Sequence, residues 1–335
     1  MNENWPKISI ITPSYNQGNF LEETILSVIN QEYPNLEYVV IDGGSNDNSI
    51  EIIKKYEEKL TYWVSEKDNG QSNAINKGFK KLTGDIFNWL NSDDYLEKGS
   101  LFKIAEQFKN NTKLDVLAFD FNEINEKSKF ISYKKGTEIL SPVEKSIGHI
   151  RPLIQPATFF KMEKIRFIFP LQESLHYTMD FEMWSRFILK YQNFIFKKID
   201  EPIVNFRVHE LSKTNQHFSS DLPTDISNKF LQEINSFFWN LSNNQYTRRT
   251  IKSFTPELKE NLDYQEYQKN KSSKLMIAHF MERTGDLLYA TYNLENMKFS
   301  KRLFISSFIT APSFDLKKII KLIKAIFYRI IIRIK

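Results

Sequence analysis

"KISIITPSYNQGNFLEETILSVINQEYPNLEYVVID", residues 7–42, decides the fold. "KISIITPS" is the apolar run of a buried strand. Phe20, Leu21, Thr24, Ile25 and Val28 then recur at helical spacing, which predicts an amphipathic helix behind that strand. "LEYVVID" reads as a second buried strand.

The same alternation continues outward. Ile50, Ile53 and Tyr56 mark a second helix, "TYWVSE" a third strand, residues 71–82 a third helix and "DIFNWLN" a fourth strand. Strands alternating with helices at this spacing imply βαβ units, an α/β fold and a mostly parallel sheet. "LDVLAFDF" and "KFISYK" are expected to add strands. "QPATFFK" precedes "LHYTMDFEMWSRFILKY", whose second half is a helix, and "EPIVNFRVHELSKT" is a strand running into a polar loop. From about residue 222 the pattern is helical, with Phe237, Phe238 and Trp239 expected in a helix core rather than as a sugar-stacking platform. The expected division is an α/β domain over 1–220 and a helical region over 221–335.

Composition narrows the chemistry. With 335 residues, 41% of them hydrophobic, the chain can bury a substantial core. It has no cysteine, which excludes disulfides, thiolate metal sites and a cysteine nucleophile. The opening lacks the basic and apolar regions of a signal peptide, and no apolar run reaches the length of a spanning helix. The net charge of +5 is misleading, because residues 315–335 alone hold +6 and leave −1 for the rest. Such a confined charge argues against nucleic-acid binding by the body of the protein.

Parallel sheets bind ligands at the carboxyl ends of their strands, and polar residues crowd those ends here. Thr12, Ser14, Tyr15 and Asn16 follow the first strand, and Asp42 the second. Glu66, Asp68 and Asn69 follow the third, and Asn91, Asp93 and Asp94 the fourth. Any one of these is a credible helix cap; four sets together point to a polar ligand. Carboxylates at a strand end suit a hard divalent cation that completes its shell with phosphate oxygens. The chain has neither a Walker A lysine loop nor a GxGxxG, so the metal and nearby cations must neutralise such phosphates.

"ISIITPSYNQGNFLEETILSVINQEYPNLEYVVIDGGSNDNS" resembles the opening of the family 2 glycosyltransferases, and "DNGQSNAINKGFKKLTGDIFNWLNSDD" resembles the continuation that ends in their DxD motif. "QPATFFK", "SLHYTMDFEMWSRF" and "FRVHELSKT" resemble the acceptor-side and lid motifs, so the likeness covers about residues 7–215. It implies a GT-A fold: a Rossmann-like mixed sheet, here with a helical C-terminal extension. Thr12, Ser14 and Tyr15 would then cradle the nucleotide base, and Asp42 would accept its imide N–H, selecting uracil or thymine. Asp68 and Asn73 would line the nucleotide pocket. Asn91, Ser92 and Asp93 occupy the DxD positions, with Asp93 the metal ligand and Asp94 beside it. Asp180 falls where the family places its catalytic base, with Trp184 and Arg186 in the helix behind it. His209 and Lys213 would meet the metal and diphosphate. The chain departs from the family pattern at Asn91, at Gly43 and at Met179, each of which replaces a common acid.

The resemblance implies an inverting, Mg²⁺- or Mn²⁺-dependent transfer of a sugar from a UDP- or dTDP-sugar to a glycan or polyprenyl-linked oligosaccharide. General-base assistance by a carboxylate such as Asp180 is typically worth ~10²–10⁴-fold. The rival readings are a sugar-1-phosphate nucleotidyltransferase and a non-catalytic nucleotide-sugar-binding homologue. Against the first, no Gly-rich basic loop follows the first strand; against the second stand Asp42, Asp93 and Asp180. In the tail, Ile319, Ile323, Ile326, Phe327, Ile330 and Ile334 share one side of a helical wheel. Lys317, Lys321, Lys324 and Lys335 lie opposite, with Arg329 and Arg333 toward the flank. That pattern predicts a helix lying in the anionic inner face of the cytoplasmic membrane, hence a peripheral cytoplasmic protein, with docking against the protein's own body as the alternative.

Overall fold

The computed structural model describes residues 4–149, 153–210, 212, 224–255, 257–290 and 294–311. The tail at 315–335 and Lys213 lie outside the described residues.

The first half of the chain alternates as its sequence pattern requires: β1 (Ile8–Ser14), α1 (Leu21–Ile29), β2 (Leu36–Asp42), α2 (Ser49–Lys55), β3 (Tyr62–Ser65), α3 (Gln71–Phe79) and β4 (Ile86–Trp89). There follow β5 (Tyr95–Leu96), α4 (Ser100–Asn110), β6 (Val116–Ile124), β7 (Phe130–Lys134), α5 (Glu144–Gly148), β8 (Thr158–Lys161) and α6 (Met162–Ile165). After α7 (Met179–Lys190) and β9 (Phe196–Arg207) come α8 (Thr224–Leu241), α9 (Gln245–Phe254), α10 (Lys271–Ala290) and α11 (Leu294–Thr310).

Among the described residues one sheet runs in the order β3-β2-β1-β4-β8-β6-β9-β5, with β7 paired to β6. The four strands at one end are parallel, as expected. The sheet is mixed because β8 runs antiparallel to both β4 and β6, while β9 returns parallel to β6. A buried strand has the same apolar pattern in either direction, so the period alone leaves its sense open. Every residue of β1 is buried, and α1 covers it with Leu21, Thr24, Ile25 and Val28. Each aliphatic side chain wholly removed from water there contributes about 1.5–3 kcal/mol. The parallel register sets Ser14 beside Asp42 and Asp42 beside Ser65, so three strands end at one level.

The chain divides into two compact units. One comprises residues 1–138, 152–187 and 193–222 and contains the sheet; the other comprises 139–151, 188–192 and 223–335. Helices dominate the second unit. Phe237 and Phe238 are buried there, and the Phe238 ring stacks on Phe280 with centroids 3.9 Å apart. Trp239 carries the Arg248 guanidinium over its ring at 4.5 Å. These aromatics are packing groups. No helix among the described residues is long and apolar enough to cross a membrane.

Candidate active site

A cleft of about 590 Å³ opens at the carboxyl ends of the parallel strands. Ser14, Tyr15, Asp68, Asn91, Ser92, Asp93, Asp180 and His209 all line it, brought together from five separate stretches of sequence. Ser14 is buried, and its Oγ has no hydrogen-bond partner in the protein, although it sits in the cleft wall. A buried hydroxyl left in that state loses its solvation unless a ligand completes it.

Four residues expected at the ligand lie off the cleft lining. Thr12 is fully buried, with its Oγ1 3.0 Å from the Tyr38 hydroxyl, and does not line the cleft. It lies two residues before the end of β1, deeper in the strand than Pro13 and Ser14, which reach the cleft. Asp42 is also fully buried. Its carboxylate accepts from the Gly44 and Ser45 N–H groups, from Ser45 Oγ at 2.5 Å and from Ser65 Oγ at 2.7 Å. Three of those bonds fall on Oδ2 and one on Oδ1. Asp42 thus shapes the turn after β2, is fully buried and does not line the cleft. Asn73 turns away as well, donating to Glu173 Oε2 at 3.0 Å. Asp94 lies beneath the cleft floor rather than in it: its Oδ1 accepts from the Arg207 N–H and its Oδ2 from Asn91 Nδ2.

The glycine at position 43 has a reason in this geometry. A Cβ there would stand 2.8 Å from Asp68 Oδ2, so the absence of a side chain lets the Asp68 carboxylate into the cleft wall. The Gly70 N–H holds Asp68 Oδ1 at 2.8 Å. Asn91 is explained in the same way. Its Oδ1 accepts from Gln71 Nε2 at 2.9 Å while its Nδ2 donates to Asp94 at 3.2 Å. Burial, and then the neighbouring Asp93 charge, pushes the Asp94 carboxyl well above the ordinary carboxylate range. An aspartate at 91 would add a further carboxylate against it; an amide supplies a donor instead.

At the centre of the cleft, Oδ2 of Asp93 lies 3.0 Å from Nε2 of His209, and the imidazole packs against the Phe20 ring at 5.0 Å. Asp93 and His209 place a carboxylate oxygen and an imidazole nitrogen on one side of the cleft. No group of three or more His, Asp or Glu among the described residues could enclose a metal. A two-residue donor set fits a divalent cation whose remaining positions are filled by phosphate oxygens and water.

Asp180 lies in the first turn of α7, half-buried, with Oδ1 accepting from the Phe181 N–H at 2.7 Å. Helix α3 fixes that turn in place. Ser72 Oγ donates to Met179 Sδ, and Asn76 holds both the Leu171 backbone and Glu173. Behind it, Trp184 is buried and Arg186 pairs with Glu182 through two bonds, at 2.6 and 2.9 Å.

Sequence reasoning passed over Gln71, Lys67 and Gln155, all of which line the cleft. Gln155 donates to Asn88 Oδ1 and to the Trp89 carbonyl, tying "QPATFFK" to the end of β4. Its position inside a motif already singled out was the available signal. Lys67 and Gln71 flank Asp68 and Gly70, where a polar loop gave no reason to prefer one side chain over the next.

Residues 9–169 match the family described as "Glycosyl transferase family 2". An uncharacterized glycosyltransferase of Rickettsia typhi is 31% identical over 223 residues, covering 63% of this chain and 66% of that protein. A putative teichuronic acid biosynthesis glycosyltransferase of Bacillus subtilis, TuaG, is 36% identical over 31% of this chain and 42% of its own length. The match thus spans about two thirds or less of these relatives. Among solved structures, S. aureus TarS 1-349 in complex with UDP has a TM-score of 0.53 at 18% identity, covering 96% of this chain and 91% of that one. The mannosyltransferase PcManGT of Pyrobaculum calidifontis, in complex with GDP-Man and Mn²⁺, has a TM-score of 0.51 at 13% identity, covering 97% and 81%. At such identities the likeness is one of fold: the sheet domain is GT-A-like.

Proposed function

This chain belongs to the family 2 glycosyltransferases, and from that premise we propose that it is an inverting, metal-dependent transferase in cell-surface polysaccharide assembly. It moves one sugar from a UDP- or dTDP-sugar to a glycan or lipid-linked acceptor. The observation that carries the reading is the convergence of Asp93, His209 and Asp180 on one cleft at the strand ends.

Asp93 and His209 would hold Mg²⁺ or Mn²⁺, which when bound supplies positive charge to the leaving diphosphate. Asp180 accepts the proton of the acceptor hydroxyl as its oxygen bonds to the anomeric carbon. The bond from that carbon to the diphosphate oxygen breaks on the opposite face, and the nucleoside diphosphate departs with the electron pair. One displacement inverts the centre, so no enzyme nucleophile is needed. Tyr15 and Asp68 carry the base-recognition role expected also of Thr12 and Asp42, because both line the cleft. Asp68 is the carboxylate able to accept an imide N–H, which favours uracil or thymine over cytosine. TarS 1-349 has been crystallised with UDP and with UDP-GlcNAc, which supports a uridine donor here. The isoleucine and lysine pattern of residues 315–335 supports an acceptor presented at an anionic membrane surface.

The test is release of nucleoside diphosphate by purified protein across a panel of sugar nucleotides, with Mg²⁺, with Mn²⁺ and with EDTA. Release confined to UDP- or dTDP-sugars and abolished by EDTA supports the reading. Equal release in EDTA refutes its metal, and release from GDP-sugars alone refutes its donor.

A further inference from the structure

Arg207 closes β9 and is 1% exposed, an unusual position for a guanidinium. All of its hydrogen bonds are made within the protein. Its backbone N–H donates to Asp94 Oδ1 at 2.9 Å, and its Nε to the Asp93 carbonyl at 2.7 Å. Nη1 donates to the carbonyls of Asn125 and Glu126 and to Ser128 Oγ, and Nη2 to Glu23 Oε2 at 2.5 Å. The Ser128 hydroxyl donates to both oxygens of the same Glu23 carboxylate. The face of the guanidinium lies 4.8 Å from the Phe20 ring, whose other neighbour is the His209 imidazole.

One strand end therefore holds Asp93 twice. Arg207 holds its backbone carbonyl, and His209, two residues further on, meets its carboxylate. We propose that Arg207, anchored by Glu23, is a positioning residue that aims the Asp93 carboxylate at the donor diphosphate. This rests on the metal-and-diphosphate reading of Asp93 above. The planar fork reaches five backbone and side-chain acceptors in different directions, a task lysine cannot perform with the same charge. Loss of a group that orients a metal-binding side chain typically weakens metal affinity by about 10–100-fold.

The experiment measures UDP binding by calorimetry with and without Mn²⁺, well below the melting temperature, for wild type, Arg207→Lys and Glu23→Gln. The expected result is unchanged UDP affinity without Mn²⁺ in all three, and an Mn²⁺-dependent gain reduced about tenfold or more in Arg207→Lys and less in Glu23→Gln. If Arg207→Lys does not fold, Glu23→Gln carries the test, because the Glu23 side chain is 42% exposed and its replacement leaves the core filled. A gain within threefold of wild type in every folded variant overturns the positioning role. So does a parallel loss of metal-free UDP binding and thermal stability, the signature of a structural part. Absence of any Mn²⁺-dependent gain in wild type instead overturns the metal reading on which the role rests.

Discussion

Nε2 of His209 lies 3.0 Å from Oδ2 of Asp93, although 116 residues separate them along the chain. Replacing Asp93 with Ala removes the carboxylate of that pair and is expected to abolish turnover and metal-dependent nucleotide binding. Asn91→Ala, which loses only hydrogen bonds to Gln71 and Asp94, should weaken turnover less. Steady-state rates over a range of Mn²⁺ concentrations compare them; a more severe Asn91 variant would reverse the assignment.

Asp180→Asn keeps the size of the side chain and its bond to the Phe181 N–H but cannot take up a proton at neutral pH. Donor affinity should be retained while kcat falls by roughly 10²-fold or more. Near-wild-type kcat would move the base elsewhere in the cleft.

Asp42 and Asp68 should separate by what they damage. Asp42→Asn sets an amide against the donors of Ser45 and Ser65, costing about 1–3 kcal/mol of stability. Asp68→Asn should leave stability nearly unchanged and reduce the preference for UDP over CDP. Denaturant melts and competitive nucleotide titrations measure the two effects. Loss of base preference in Asp42→Asn, with stability intact, would restore Asp42 to the ligand.

Acid stability has a definite sign at Glu37. Burial works to raise its carboxyl, but hydrogen bonds from Ser9, the Thr83 backbone and the Thr83 hydroxyl, with the Lys7 charge, hold it below the ordinary range. A depressed carboxyl stabilises the fold above the unfolded value of about 4.3 and loses that contribution as pH falls through the folded one. Urea midpoints measured from pH 7 to pH 3 should therefore fall less steeply in Glu37→Gln than in wild type. Identical slopes would show that Glu37 does not carry this acid sensitivity.

The sequence by itself determined the α/β class, the order of the first four strands and helices, and the strand ends as the place for a polar ligand. Those features rest on local rules: apolar runs bury as strands, and Leu21, Thr24, Ile25 and Val28 make a helix face whatever lies across from it. The resemblance named Asp93, Asp180 and His209, and all three line the cleft. Only the tertiary structure decided how each polar side chain is spent. Asp42 and Asp68 are both aspartates at the ends of parallel strands, but the register brings the Ser65 hydroxyl onto the buried Asp42 carboxylate. Gly43 meanwhile leaves the space that Asp68 enters. Asn73 went to Glu173, a partner 100 residues away, and the amide at Asn91 was justified by a buried Asp94 that no local pattern marks as buried. A hydrogen bond has one geometry and a side chain few acceptors, so the role of a polar residue is fixed by the neighbours that folding delivers.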